Sequence, residues 1–347
     1  MTTIYDVAKA AGVSTTTVSR VLNNYVDISP DTKRKILKTI NNLGYIPNPS
    51  ARSLTTKRSY LIGILFAETL NVGIEHPFFA GVIEGFKKVL AHHGYDTMFI
   101  VNKFADEEIG YLQHCKLRGV DGVCVFANTE DVSLDDLLSS DIKLVTTELV
   151  HDRVPRIASD NVKGAKLAIN HFIKNHHTRI GYILAPLSVL SSHERYEGIK
   201  EALSEVNMNL DEEYISFTKD YHINGGYHSA KELFERFTYQ QHPTALFVVS
   251  DIVAIGVIKY LQEIGKRIPE DVEIIGFDNI ELASQITPKL STVAQNRFVI
   301  GEQAAYTLLA LLDNSHKLNN NLSQKIEVEL ILRETTTNDS LNNNHSK

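Results

Sequence analysis

The sequence predicts an all-α head that contains a helix-turn-helix, followed by a larger α/β body of two lobes built on parallel sheets. Two short amphipathic helices joined by a tight turn lie between residues 4 and 23. Positive charge is concentrated in the first 58 residues. From residue 61 onward, apolar strand-length segments alternate with helical ones. This body of about 280 residues is longer than one hydrophobic core usually serves.

The two helices of the head are defined by their turn and by their apolar spacing. Gly12 can adopt the left-handed conformation that ends a helix, and Ser14 is a favourable N-cap for the next one. Apolar side chains repeat at helical spacing on one face of each helix: Val7, Ala8, Ala11, Val18, Val21 and Leu22. Ser29 caps a third predicted helix, which continues to Leu43 and ends at Gly44.

The outer face of the second helix carries only hydrogen-bonding side chains and no acid: Thr15, Thr16, Thr17, Ser19, Arg20 and Asn23. Such a face fits the DNA major groove, although short helix pairs also occur by chance in helical proteins. Charge favours DNA binding. Residues 1–58 hold nine Lys or Arg against three Asp, a net +6, so the remainder of a chain with net charge −7 carries −13.

Strands are predicted in the body at 61–66, 97–101, 120–126, 180–184, 245–249 and 273–277, and helices at 79–93, 107–116, 164–175, 194–206, 226–237 and 252–264. Ligands of such sheets bind beyond the carboxyl ends of the strands. Glu148, Asp251 and Asp278 follow three apolar strands, where each is either a ligand contact or a helix N-cap. Arg195 lies near a helix start, where the helix dipole disfavours a cation. A polar partner or a ligand that contacts the guanidinium would explain an arginine at this position.

Several other classes of protein are disfavoured. The chain has no Walker A, GxSxG, GxGxxG or HExxH motif, so we expect no enzyme, no metal and no cofactor. Cys115 and Cys124 have neither CxxC nor disulfide spacing, which indicates a reducing compartment. No signal peptide and no run of 18 apolar residues are present, so we expect a cytoplasmic protein without a membrane partner, and not an exported solute-binding protein.

These residues resemble the LacI/GalR family of bacterial transcription regulators over essentially the whole chain. The most specific matches are residues 4–23 and the segment 48–54 ahead of Ser59. The resemblance implies that the helix from Thr15 contacts base edges and that the segment 47–58 becomes a hinge helix in the minor groove, where Leu54 wedges between base pairs beside Arg52. A flexible linker is the alternative for this segment. The DNA-binding candidates are Tyr5, Ser14, Thr15, Thr16, Thr17, Ser19, Arg20, Asn23, Arg52 and Leu54.

The resemblance also implies a body like a periplasmic sugar-binding protein, with three crossovers and an effector cleft between the lobes. In the family, positions matching Arg195 and Asp278 hold the effector, and aromatic or apolar side chains matching Phe78 or Phe79 and Tyr221 pack on it. The effector candidates are Phe78, Phe79, Glu148, Arg195, Tyr221, Asp251 and Asp278. They favour a sugar or sugar phosphate. The chain departs from the family in its apolar Phe126 and its lack of Trp, and purine-binding members exist.

We therefore predict a homodimeric repressor of carbohydrate-utilisation genes that binds a palindromic double-stranded operator. The predicted domains are a helix-turn-helix domain at 1–46, a hinge at 47–58, an effector-binding and dimerisation domain at 59–337 and a polar tail at 338–347, which we expect to be disordered and which lacks leucine heptads. The alternatives are a catabolite-control-type regulator with a phosphocarrier protein as partner, and a purine-type member that requires a co-repressor.

Overall fold

A computed structural model describes residues 2–22, 25, 27–46, 58–67, 73–104, 106–127, 132–313 and 322–337. The chain divides into two compact units, Met1–Leu61 with Gly119–Asp121 and Ile62–Arg118 with Gly122–Lys347. The helices of the described residues are α1 Ile4–Ala11, α2 Thr15–Leu22, α3 Pro30–Leu43, α4 Pro77–His92, α5 Tyr111–Arg118, α6 Val132–Leu138, α7 Asn161–Lys174, α8 Leu190–Ser204, α9 Ile223–Glu235, α10 Asp251–Glu263 and α11 Arg297–Leu312.

The strands are β1 Leu61–Ala67, β2 Asp96–Ile100, β3 Lys103–Phe104, β4 Glu107–Glu108, β5 Gly122–Ala127, β6 Lys143–Thr146, β7 Ile157–Ser159, β8 Ile180–Leu184, β9 Ile215–Phe217, β10 Ala245–Val248, β11 Glu273–Asp278, β12 Ser291–Gln295, β13 Gln324–Ile326 and β14 Val328–Ile331.

The head forms the predicted three-helix arrangement. Thr3 and Asp6 make a capping box at the start of α1, and Gly12 ends that helix with a φ of 64°. Ser29 caps α3 and Gly44 ends it. The predicted apolar faces of the three helices meet in one small core, which buries Val7, Ala8, Ala11, Val18, Val21, Ile36 and Ile40.

The body contains two sheets, one in each lobe. The first lobe has the strand order β2-β1-β5-β6, with β5 parallel to both β1 and β6. The second has the order β14-β12-β11-β10-β8-β9, in which only β14 runs antiparallel to its neighbour. The central strands of the second sheet are buried along their whole length, as parallel strands covered by helices on both faces must be.

The chain crosses between the lobes three times, after β7, after β12 and after β13. Strands β7 and β13 pair in parallel at the crossovers, and β14 then joins the second sheet. Helix α11 returns to the first lobe and packs on α4. Gly301 of α11 lies so close to α4 that a Cβ atom there would be 2.0 Å from the carbonyl oxygen of Val82. The parallel sheets and the three crossovers are therefore confirmed.

One predicted helix of the body was wrong. Residues 107–116 include β4, which pairs with β3 in a short hairpin, and the helix begins only at Tyr111. Glu107 and Glu108 suit the first turn of a helix but are exposed in the hairpin. The apolar pattern also gave no prediction for α6, α11, β3, β7, β9, β12, β13 or β14, whereas β8 matches its predicted bounds.

Candidate effector cavity and DNA-binding face

A cavity of about 420 Å³, its open mouth included, lies between the two lobes at the carboxyl ends of their strands. Its walls come from the first turns of α4 and α8, from the segments after β6 and before α9, and from the ends of β11 and β12. The lining residues are His76, Phe78, Phe79, Glu148, Val189, Ser191, Arg195, Tyr221, Asp278 and Gln295. Separate elements thus bring together six of the seven predicted effector residues.

Asp251 is the exception and corrects the prediction. It does not line the cavity, and both of its carboxylate oxygens are already occupied. Oδ2 accepts a hydrogen bond from the backbone N–H of Ile280 at 2.9 Å, and Oδ1 accepts one from the hydroxyl of Thr292 at 2.6 Å. Asp251 therefore joins α10 to the segments after β11 and within β12. Ser250 provides the N-cap of α10.

Arg195 is buried in the cavity wall with its guanidinium held on three sides. Its Nε donates to Oδ1 of Asn161 at 3.0 Å, and its Nη1 donates to the carbonyl oxygen of Val249. The guanidinium carbon lies 3.7 Å from the ring centroid of Phe277, a cation–π distance. This explains the arginine in the first turns of a helix: partners outside the helix offset the unfavourable dipole.

Asp278 presents one unpaired oxygen to the cavity. Its Oδ1 accepts a hydrogen bond from Gln295, whereas Oδ2 is buried without a hydrogen-bond partner among the described residues. The backbone of Asp278 has a φ of 120°, a strained value for a residue with a side chain. Burial raises the pKa of this carboxyl to about 7, although Arg195 lowers it in part. An unpaired buried acceptor on a strained backbone is typical of a ligand contact.

His76 lines the cavity and was not among the residues that the sequence analysis proposed. Its Nδ1 accepts a hydrogen bond from the backbone N–H of Phe78, so the neutral ring carries its proton on Nε2. That Nε2 is buried, and nothing in the described part of the chain accepts from it. Burial, helped by the charge of Arg195, lowers the pKa of His76 to about 4, so the ring is neutral near pH 7. The only sequence signal was its position ahead of Pro77 at a helix start.

Aromatic rings and a second carboxyl complete the cavity. The rings of Phe79 and Tyr221 lie 6.1 and 6.0 Å from that of His76, both edge to face. Burial raises the pKa of Tyr221, whose hydroxyl stays protonated. Burial also raises the pKa of Glu148, against the lowering effect of Arg156 and Arg195. Val189, Ser191 and Gln295 were likewise missed, because isolated small or amide side chains carry no sequence signal.

In the head, the predicted DNA-binding residues divide into exposed and engaged side chains. Thr16 is exposed on α2, Thr15 and Ser19 are half-buried, and Tyr5 is 74% exposed. Ser14 and Thr17 hydrogen-bond to each other at 2.8 Å, and Ser14 also accepts from the backbone N–H of Thr17, so this pair caps α2.

Arg20 pairs with Asp27 and lies 5.3 Å from the ring centroid of Tyr25. Asn23, Arg52 and Leu54 lie outside the described residues, so their predicted contacts remain predictions.

The described residues contain no cluster of three His, Cys, Asp or Glu side chains arranged to hold a metal ion. Within the same ranges, none of the helices combines the length and the apolar character needed to cross a bilayer.

Two family descriptions match the chain. Residues 3–48 match "Bacterial regulatory proteins, lacI family", and residues 169–336 match "Periplasmic binding protein-like domain". A curated relative, the ribose operon repressor of Halalkalibacterium halodurans, is 36% identical over 97% of both chains.

Two solved structures are also similar. A LacI family transcriptional regulator from Enterococcus faecium with bound ribose is 26% identical, with a TM-score of 0.68 over 80% of this chain and 98% of that one. A lac repressor dimer bound to operator and an anti-inducer shares the fold, with a TM-score of 0.81 over 96% of this chain and 99% of that one at 24% identity. By its sequence relatives and its fold, the chain belongs to the LacI family and is a DNA-binding transcriptional repressor, not an enzyme.

Proposed function

We propose that this repressor is controlled by a small, uncharged sugar that binds in the cavity between its lobes. The observation that carries the proposal is the pair of unpartnered groups in the cavity wall. His76 offers an N–H donor and Asp278 offers an acceptor oxygen, and neither group has a hydrogen-bond partner in the described ranges of the chain. Hydroxyl groups donate and accept, so a polyhydroxylated ring would satisfy both, and the aromatic side chains would pack against its carbon face.

The charge of the cavity favours an uncharged sugar over a sugar phosphate. Glu148 and Asp278 are both acidic, whereas Arg195 is the one arginine in the described lining. The guanidinium of Arg195 is already engaged by two oxygens and a ring. A phosphate dianion would meet two carboxyl groups and only one cation, Arg195, in that lining, and burying such an excess of negative charge is costly.

The relatives support this class of effector. The relative from Halalkalibacterium halodurans is a ribose operon repressor, and the regulator from Enterococcus faecium was solved with ribose. Ribose is therefore the first compound to test. A purine effector, or a phosphocarrier protein as co-regulator, remains the alternative outcome.

For DNA binding, we propose the domain organisation that the sequence predicts. We propose a helix-turn-helix domain at 1–46, a hinge at 47–58, an effector-binding and dimerisation domain at 59–337 and a tail at 338–347. The homodimer would bind a palindrome in the cytoplasm, with Leu54 as the minor-groove wedge. Among solved structures of this fold, the lac repressor was crystallised as a dimer on its operator.

The test is calorimetric titration of the full-length protein with ribose, ribose 5-phosphate, glucose 6-phosphate and hypoxanthine. Operator affinity is then measured with and without each compound. We expect binding of ribose or another uncharged monosaccharide, loss of that binding in Asp278→Asn, and no change in Glu281→Gln, an exposed carboxyl in the same lobe. Binding of a phosphate or a purine alone would contradict the proposal.

A further inference from the structure

A partly buried hydrogen-bond chain leads from the effector cavity to the start of α8. Glu194 accepts hydrogen bonds from both terminal nitrogens of Arg156, at 2.6 and 2.9 Å, and from Nδ2 of Asn161 at 2.8 Å. The other end of the Asn161 amide, Oδ1, accepts the 3.0 Å hydrogen bond from Nε of Arg195. Glu194 does not line the cavity, whereas Arg195 does. Along the hydrogen-bond chain, Asn161 alone stands between these two residues.

We propose that Glu194 is a positioning residue for the effector site, because it fixes the orientation of the Asn161 amide and thereby the guanidinium of Arg195. The proposal rests on the proposed function of the cavity. A carboxylate can only accept, so Glu194 requires the NH₂ end of Asn161. This leaves the amide oxygen to face Arg195, which can only donate. Asn161 and Arg195 are 4% and 5% exposed, so water is a poor substitute for either partner.

The same carboxylate links the two lobes beside the cavity. Arg156 forms an isolated parallel bridge with Thr146, and its Nε donates to the carbonyl oxygen of Thr147 at 3.2 Å. Thr147 immediately precedes Glu148 in the cavity wall, and Glu194 belongs to the other lobe. Burial raises the pKa of Glu194, but the hydrogen bonds and charge of Arg156 and the hydrogen bond from Asn161 outweigh it. The net shift is downward, so Glu194 stays ionised near pH 7 and keeps its acceptor-only character.

The fixed direction of donors and acceptors along this chain predicts the effect of substitutions that preserve the shape of the side chain. In Glu194→Gln, the new amide keeps only one of the two hydrogen bonds from Arg156, because each carboxylate oxygen now accepts one of them. In one of its two orientations, it accepts from Nη1 of Arg156 and donates to Asn161. Asn161 would then rotate and present its NH₂ group to Nε–H of Arg195, two donors facing each other. In Asn161→Asp, two carboxylates would meet. In the double variant, the introduced glutamine donates to the introduced aspartate, and that aspartate accepts from Arg195. The donor and acceptor pattern between positions 194, 161 and 195 is thereby restored with the total charge unchanged, while one hydrogen bond from Arg156 stays lost.

The first experiment measures ribose affinity by calorimetry in full-length protein. We expect Glu194→Gln and Asn161→Asp each to weaken binding by about tenfold or more, and the double variant to recover to within about threefold of the wild type. Lys163→Gln is the matched control, since it breaks the exposed pair with Glu327 two residues after Asn161 on the same helix. Equal losses in the single and double variants, or no loss in Glu194→Gln, would overturn the proposal.

A second measurement does not depend on the effector. In protein labelled with ¹⁵N-arginine, the Nε–H resonance of Arg195 is identified by its absence from Arg195→Lys. We expect it to shift and lose protection from solvent exchange in Glu194→Gln and to return in the double variant. An unchanged Arg195 resonance in Glu194→Gln would refute the positioning role, whether or not the wild type binds a sugar. Failure of the wild type to bind any sugar would contradict the proposed function instead.

Discussion

Nε2 of Gln295 donates a 2.5 Å hydrogen bond to Oδ1 of Asp278 and leaves Oδ2 as the unpaired acceptor in the cavity, as far as the described residues extend. The two residues end neighbouring parallel strands, β12 and β11, so the pairing of the strands places the amide against the carboxyl. Gln295 thus fixes which oxygen of Asp278 is available to an effector.

Effector affinity should rise with pH through neutrality. Burial raises the pKa of Asp278 to about 7, so below pH 7 the free protein holds a proton there. A hydroxyl that donates to Oδ2 favours the ionised form, so binding expels that proton. Affinity should therefore increase by up to about tenfold per pH unit below pH 7 and level off above it. Calorimetry at pH 6 and pH 8, in buffers of different ionisation enthalpy, measures both the affinity and the released proton.

The variant His76→Gln tests whether the histidine, rather than a carboxyl of the cavity, is the group that titrates. The pKa of His76 lies at about 4, so the pH dependence should persist in this variant even though its affinity falls. A flat pH profile in His76→Gln would show that the histidine, and not Asp278, is the group that titrates.

Operator discrimination should depend on Thr16, which is exposed on α2 in the acid-free face of the head. If a base contact is lost, Thr16→Ala should lower the difference in binding free energy between operator and random DNA by about 1–3 kcal/mol. Lys38→Ala is the control, because an exposed lysine that contacts only phosphate weakens both DNAs alike. Gel-shift titrations with both DNAs distinguish the cases, and an equal loss for Thr16→Ala would mean that the residue contacts only the DNA backbone.

Helix packing in the first lobe should be sensitive to Gly301. Alanine favours a helix over glycine by up to about 1 kcal/mol. Here, however, its Cβ would lie 2.0 Å from the backbone oxygen of Val82, and a backbone atom cannot move aside as a side-chain tip can. We expect Gly301→Ala to destabilise the protein by about 1–3 kcal/mol. Gly110→Ala, where the added Cβ meets no described atom within 4 Å, should leave the thermal midpoint nearly unchanged.

Stability at acid pH should depend on Glu273, which lies buried beside His171 and His177 and accepts from Asn175 and Thr337. Burial raises its pKa, but hydrogen bonds from His177 and Thr337 outweigh burial, so the net pKa lies below the usual 4.5. Its contribution is therefore present above pH 4.5 and lost as pH falls through the lowered value.

Urea unfolding midpoints at pH 7 and at pH 4 or below test this contribution. Glu273→Gln should cost about 1–3 kcal/mol at pH 7 and should show a shallower loss on acidification than the wild type. The exposed Glu270→Gln should behave as the wild type at both pH values. An acid profile of Glu273→Gln that parallels the wild type would contradict this role.

The sequence by itself determined the helix-turn-helix and the parallel strands of the body, and it marked two carboxyls at strand ends and one arginine near a helix start as cavity candidates. These features depend on local chemistry, whereas the three aromatic candidates came only from the resemblance to the LacI/GalR family. Gly12 and Gly44 end helices wherever a left-handed residue is needed, and apolar periodicity distinguishes a strand from a helix. Side chains at strand ends, such as Asp278, become candidates because parallel strands align their carboxyl ends on one edge of a sheet.

Only the tertiary structure decided which polar groups are satisfied. Asp251 and Asp278 both follow apolar strands, yet Thr292 and Ile280 occupy both oxygens of Asp251, while Gln295 occupies one oxygen of Asp278. Partners that lie 17 to 41 residues away leave no mark on local sequence pattern. The unpaired nitrogen of His76 and the orientation of Asn161 arise in the same way, because hydrogen-bond satisfaction depends on contacts that the fold alone brings together.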